Sequence, residues 1–243
     1  MREDRTVASE AAAAARSASA PGYGVLADRS PVDHELEIRR SRFLCRLQRV
    51  ESEDEAREVI ADRRAAHRLA RHHCSAFVLG ADRRVQRTSD DGEPAGTAGT
   101  PMLEALVLAE RVRGGAAPAS DLSDVVAVVT RYFGGVLLGA GGLVRAYSES
   151  VSSTLQLART VTRQSRAMFA VEAPHATAGR WENDLRSRGV LVVGTEYAGS
   201  AATLTVAIPD APDARARLAS DVASVTAGAG ELLELGTQWV DLS

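Results

Sequence analysis

The stretch TRYFGGVLLGAGGLVRAY, Thr130 to Tyr147, holds five glycines between Gly134 and Gly142. It is entered from a β-branched run, Val125 to Thr130, and left into a helical pattern that places Leu143, Ala146, Tyr147, Val151 and Leu155 on one side. Glycine is needed where φ must be positive, or where a backbone or ligand comes too close for a Cβ. The stretch therefore reads as a shaped strand-to-helix loop, with its helix expected from about Gly142 to Arg159. A second polar loop, SDDGEPAGTAGTPML (Ser89 to Leu103), repeats the strand, loop, helix order.

Working outward, two strands are expected around Asp33–Arg40 and Arg42–Val50, the second alternating Phe43, Cys45 and Leu47 with polar residues. Ser52 and Glu55 have capping-box spacing, and Ala56, Val59 and Ile60 give the helix that follows, ending near Ala70, an apolar stripe. Cys74–Gly80 reads as a buried strand, joined through Gly80-Ala81-Asp82 to a partner at Arg84–Thr88. Thr100 and Pro101 suit the N-cap and first position of a helix running through Val112, and Gly114–Asp121 is linker-like. Residues 1–21 carry too little apolar surface to offset ordering entropy and read as a disordered tail. After Arg163 the order is strand, helix, strand, strand, helix, strand, the ferredoxin-like βαββαβ pattern. The expected class is α+β, with an α/β domain over 22–161 and a ferredoxin-like domain over 163–243.

The 243 residues include 45% hydrophobic residues, enough for a sizeable core. All 29 basic side chains are arginine, a bias that a GC-rich coding sequence produces and that is no nucleic-acid signature by itself. The net charge of −3 excludes a uniformly basic binder but is unevenly spread. Arg39–Arg87 holds 13 arginines against 7 acids, and Arg163–Ser243 holds 7 against 10. That asymmetry fits either a polyanion-facing surface or solvated arginines on helix faces. Cys45 and Cys74 lie in apolar strands and read as buried reduced thiols, which suits a reducing compartment. The start of the chain has no secretory h-region, and no apolar run approaches the length of a membrane span, so the expected location is the cytoplasm.

Asp90, Asp91 and Glu93 can bind a hard cation or act as acid and base, but around a Gly92-Glu93-Pro94 turn they more often cap backbone amides. Ser89 and Thr97 read as turn hydroxyls. Gly139-Ala140-Gly141-Gly142 before a helix can offer amides to an anion, with Arg131 and Arg145 bracketing the loop. The competing reading is a tight connection whose glycines serve packing. The loop lacks a P-loop's Gly-Lys-Ser/Thr ending. Tyr132 or Phe133 can supply a stacking face, and the competing reading places Phe133 and Tyr147 in the core. His67, His72, His73 and Cys74 invite zinc, but adjacent strand residues point to opposite faces, so no metal site is assigned. No catalytic residue and no cofactor is assigned either.

Taken in order, Arg71-His72-x-Cys74-x-Ala76, the run Ser89-Asp90-Asp91-Gly92-Glu93-Pro94-x-Gly96-Thr97-Ala98-Gly99-x-Pro101-Met102-Leu103, and Thr130 to Tyr147 closely resemble the YigZ/IMPACT family, over about Ser41 to Leu155. The unit after Arg163 resembles the carboxy-terminal domain of the bacterial members. The resemblance implies a first domain like the second domain of ribosomal protein S-five, with a left-handed crossover, and a second like the last domain of elongation factor G. Eukaryotic members regulate translation by binding the activator of an amino-acid-starvation kinase, through regions that include an additional amino-terminal domain. That partner is not carried over, since a short tail stands in its place here. The expectation is a cytoplasmic binding protein whose partners are RNA or the ribosome and translation factors. The alternatives are an enzyme acting on a phosphorylated or nucleotide ligand, and a protein-interaction module.

Overall fold

A computed structural model describes residues 22–110 and 120–242. They form two units, residues 23–162 and 163–242, each with its own apolar core. The first contains β1 (Tyr23–Leu26), β2 (Val32–Ile38), β3 (Ser41–Arg49), α1 (Glu53–Ala66), β4 (His72–Leu79), β5 (Val85–Ser89), α2 (Gly99–Val107), β6 (Val125–Tyr132) and α3 (Ala140–Leu157). Its antiparallel sheet has the order β2-β3-β6-β4-β5. β6 is central, and its VVAVV run is buried on both faces, as an apolar run without alternation requires. Val125, Ala127 and Val129 join Phe43, Cys45, Cys74, Ala76 and the apolar sides of α2 and α3 in the larger core layer. Val126 and Val128 pack with Phe77 against α1 through Ala56 and Val59.

The expected helix after Ser52 begins where its cap predicts. The Ser52 hydroxyl accepts from the Glu55 amide at 3.1 Å, while the Glu55 carboxylate reaches the Glu51 amide instead of returning to Ser52. The start of α2 is a correction. Gly99 and Thr100 already lie inside the helix, whose N-cap position is Ala98, so Thr100 caps nothing. α2 also stops at Val107, with Leu108 as its C-cap, short of the expected Val112; most of the Gly114–Asp121 linker and the tail over 1–21 lie outside the described residues. No strand was expected at β1, yet Gly24 donates to Asp121 O and accepts from the Ser123 amide, at 3.0 and 2.8 Å.

The second unit contains β7 (Thr160–Pro174), α4 (His175–Ser187), β8 (Leu191–Ala198), β9 (Ala201–Pro209), α5 (Pro212–Thr226) and β10 (Leu232–Leu242). Within it β7 pairs β9 and β9 pairs β8, β10 also pairs β7, and β9 is antiparallel to both its neighbours. Phe169, Val171, Leu204 and Val206 alternate inward against Trp181 and Leu185 of α4 and Leu218 and Val222 of α5. Among the described residues no helix is long and apolar enough to cross a membrane.

Candidate functional site

β4 and β6 set the geometry. Their register puts His72 opposite Arg131 and Cys74 opposite Val129, on the face that α2 and α3 cover. The neighbouring residues His73 and Tyr132 turn to the other face, where His73 Nδ1 lies 3.1 Å from the Thr130 hydroxyl and the Tyr132 hydroxyl lies 3.0 Å from His67 Nδ1. Strand alternation thus separates the histidines considered for zinc. Burial pushes the His67 and His73 imidazoles below their ordinary pKa, favouring neutral rings.

The acidic loop follows β5 and is held by its own carboxylates. Asp90 accepts the amides of Ala98 and Gly99 on one oxygen, at 3.0 and 2.8 Å, and that of Gly96 on the other, at 2.8 Å. Burial raises the Asp90 pKa, but the bonds from Gly96, Gly99 and Ala98 outweigh it, so the carboxyl titrates below its ordinary value. Asp90 is the cap of α2, supplied from outside the helix. Asp91, at φ 43°, accepts the His73 amide at 2.6 Å and pairs with Arg64, and its carbonyl lies 2.9 Å from His72 Nδ1. The Thr97 hydroxyl closes a turn on Pro94 O at 2.7 Å, and Ser89 pairs with Ser75 in the sheet. A Cβ on Gly99 would lie 2.8 Å from the Ser89 nitrogen, which explains glycine there. Gly92 rests against the His72 ring.

Glu93 points the other way, into the core layer. Its Oε1 accepts from Arg131 Nη1 at 2.7 Å and from the Tyr147 hydroxyl at 2.9 Å. Glu93 is 9% exposed and Arg131 6%, so this is a buried ion pair that ties one loop to the strand entering the other. The Cys74 thiol lies 3.0 Å from Asp90 O and 3.3 Å from the Tyr147 hydroxyl. Burial pushes the Cys74 thiol up to about 12 and the Tyr147 phenol far above its ordinary value, so both stay protonated. Glu93 Oε2 accepts no hydrogen bond among the described residues, and the buried Arg131 Nε donates none. The Arg131 guanidinium lies 5.4 Å from the Phe43 ring centroid and 5.6 Å from that of Phe133.

The glycine-rich loop leaves β6 where a Cβ on Gly134 would meet the Arg40 carbonyl at 2.0 Å, a position only glycine can take. It ends at Gly139, the N-cap of α3, with φ 71° and ψ 167°, a region that is nearly glycine-only. No side chain among the described residues caps this helix. Leu143 N bonds Gly139 O, while the amides of Ala140, Gly141 and Gly142 reach no acceptor among the described residues. Gly139 and Ala140 line a cavity of about 350 Å³ together with Arg71, His72, Glu93, Arg131, Phe133, Leu137 and Leu138. The two loops therefore share one cleft.

Of the residues singled out in the sequence, Glu93, Arg131, Phe133 and Gly139 line this cavity. Gly141, Gly142 and the exposed Arg145 are outside its lining, and Tyr132 is on the opposite face of the sheet. Arg71 and His72 were not read as anion ligands from sequence. Alternation gave a usable signal: counting back two from the core residue Cys74 places His72 on the same face.

Comparison with known proteins places this geometry in a lineage. Residues 39–155 match the family described as Impact N-terminal domain. IMPACT family member YigZ of Escherichia coli K12 is 34% identical over 208 residues, covering 85% of this chain and 95% of that protein. The chain belongs to the IMPACT family. Family member YvyE of Bacillus subtilis 168 is 45% identical over 165 residues, 68% of this chain and 71% of its own. A crystal structure of a hypothetical protein, 33% identical, superposes with a TM-score of 0.55 over 87% of this chain and 96% of that one. The mixed α/β architecture is thus shared with a solved relative, and both motif loops fall within the matched residues 39–155.

Proposed function

We propose that this IMPACT family chain is a cytoplasmic binding protein that contacts RNA in the translation machinery, regulating translation by occupancy and not by chemistry. One observation carries the reading: the uncapped N-terminus of α3 opens into a cleft whose rim holds Arg71 and His72. Helix N-terminal amides and a nearby guanidinium are the usual partners of a phosphate. Arg131, neutralised by Glu93, holds the two loops in position more than it supplies charge. The βαββαβ order of elements, with β7 paired to both β9 and β10 and β9 to β8, supports a second unit of the ferredoxin-like kind expected from the sequence.

The test is RNA binding by fluorescence anisotropy across a salt series. Affinity is expected to fall steeply with salt, and Arg71→Ala to weaken every RNA alike while reducing the salt slope by about one. Absent or salt-independent binding overturns the reading. The open oxygen of Glu93 favours a second reading, an enzyme acting on a phosphorylated or nucleotide ligand, with that carboxylate holding Mg²⁺ or a proton. Calorimetry with nucleoside triphosphate and Mg²⁺ separates the two, because a flat titration removes the enzyme.

A further inference from the structure

We propose that the cleft is a subsite for one unpaired nucleotide of an RNA strand, taking its phosphate at the α3 N-terminus and its base along the wall of Phe133 and Leu137, with an edge towards Glu93. The inference rests on the phosphate-binding reading above and adds the base. Its starting point is that the walls differ in chemistry. At one end stand Gly139 and Ala140, beside the open amides of the first turn of α3. An anion satisfies that end.

The side wall is apolar and aromatic. Phe133 is 52% exposed and Leu137 82%, and both line the cavity with Leu138. Arg131 covers one side of the Phe133 ring, and the half-exposed ring leaves aromatic surface against which a planar group can lie. A bare phosphate uses none of this wall.

The deep end supplies the third requirement. Glu93 and Arg131 are both more than nine-tenths buried, yet Glu93 Oε2 accepts nothing and Arg131 Nε donates nothing among the described residues. Of these two atoms Arg131 Nε is sealed from solvent, while Glu93 Oε2 stays reachable and can accept from an N–H or O–H donor that enters the cavity. Each of the four RNA bases carries an N–H on its Watson–Crick edge, and in a duplex that edge is already paired. A cavity of about 350 Å³, apolar on one wall with a few convergent polar groups, has the make-up of a small-ligand site. The unpaired nucleotide meets all three walls at once, whereas duplex RNA meets only the first.

The experiment uses the full chain and a short fluorescein-labelled oligoribonucleotide of mixed sequence, alone and annealed to its complement, at fixed salt. The single strand is expected to bind about tenfold more tightly than the duplex, and Phe133→Ala to remove about that factor from the single strand while weakening the duplex far less. Glu93→Gln is expected to act in the same direction. Because that variant disturbs a buried pair, its melting curve is recorded, and the half-exposed Phe133 carries the decision if it unfolds. Equal affinity for both RNAs, or a Phe133→Ala protein that keeps its single-strand affinity, overturns the nucleotide subsite. If Arg71→Ala still weakens both RNAs in that case, the phosphate reading survives. No RNA binding at all removes both.

Discussion

The two loops of the first unit share a grammar and use it in opposite ways. Each follows a strand and opens a helix, so each must deal with amides that a helix leaves unpaired in its first turn. At α2 the chain solves this internally: Asp90, upstream of the helix, places a carboxylate over the amides of Ala98 and Gly99 and ties in Gly96. At α3 it does not, and Gly139 turns the backbone so that the first three amides remain open. An internal anion fills one helix terminus, and the other is left for an external one. Acidity in the first loop and glycine in the second are two answers to one backbone problem.

The largest effect is expected where the two loops join. Glu93→Ala leaves the Arg131 guanidinium buried without its carboxylate, and breaking a buried pair in this way costs about 4 kcal/mol. Urea unfolding of this variant reports that loss. A change of less than about 1 kcal/mol, the range of exposed pairs, breaks the picture of the loops as one coupled unit.

The next effect separates the loops. Asp90→Ala removes three charge-assisted bonds at once and is expected to cost about 3 kcal/mol. It also has a pH signature. The folded Asp90 carboxyl titrates below its ordinary 3.8, so its contribution is fully present above that value. It is lost as the pH falls through the depressed folded value, where the proton binds both states. The stability gap between the parent and Asp90→Ala should therefore be constant from neutral pH down to about 5 and narrow below the ordinary value. A gap that widens on acidification contradicts the capping role.

Much of this architecture was legible because short-range physics decides it. The β-branched run at Val125–Thr130, the alternation Phe43, Cys45, Leu47 and the Ser52 cap each placed an element within a few residues of where it lies. The start of α2 was misread because Thr100-Pro101 is a good local cap signal, and a carboxylate beyond the helix outcompeted it. The Glu93–Arg131 pair was not legible either, since 38 residues separate the partners and only sheet register brings them together. The same register carries His72 to the cleft. Arg145 looked like an anion ligand by proximity in sequence, yet it lies outside the lining.

The third effect concerns the open terminus. Gly139 has φ 71° and ψ 167°, and an L side chain there costs about 2 kcal/mol or forces the turn to rearrange. Gly139→Ala should therefore lower the melting temperature and, by re-aiming the α3 amides, weaken RNA binding beyond what the stability loss explains. Gly92, whose φ is also positive, serves the closed loop. Gly92→Ala should be destabilising too, but with binding reduced only in proportion to the folded fraction. Similar binding losses at both glycines would erase the distinction between a closed and an open loop.

The smallest effect is the sharpest. Gly141 lies in the first turn of α3, a Cβ added there meets nothing within 4 Å, and its φ is not in the left-handed region. Alanine is a better helix former than glycine, so Gly141→Ala should stabilise the fold by about 0.5 kcal/mol, visible as a small rise in melting temperature. Because Gly141 is outside the cavity lining, RNA affinity should stay within about twofold of the parent, a change of roughly 0.4 kcal/mol. A variant that is more stable yet binds markedly less RNA would mean that the ligand approaches the Gly141 backbone too closely for a methyl group. The anion would then sit over the second and third amides of the helix, one residue further along than the Gly139–Ala140 wall implies, and Arg145 would return as a candidate contact.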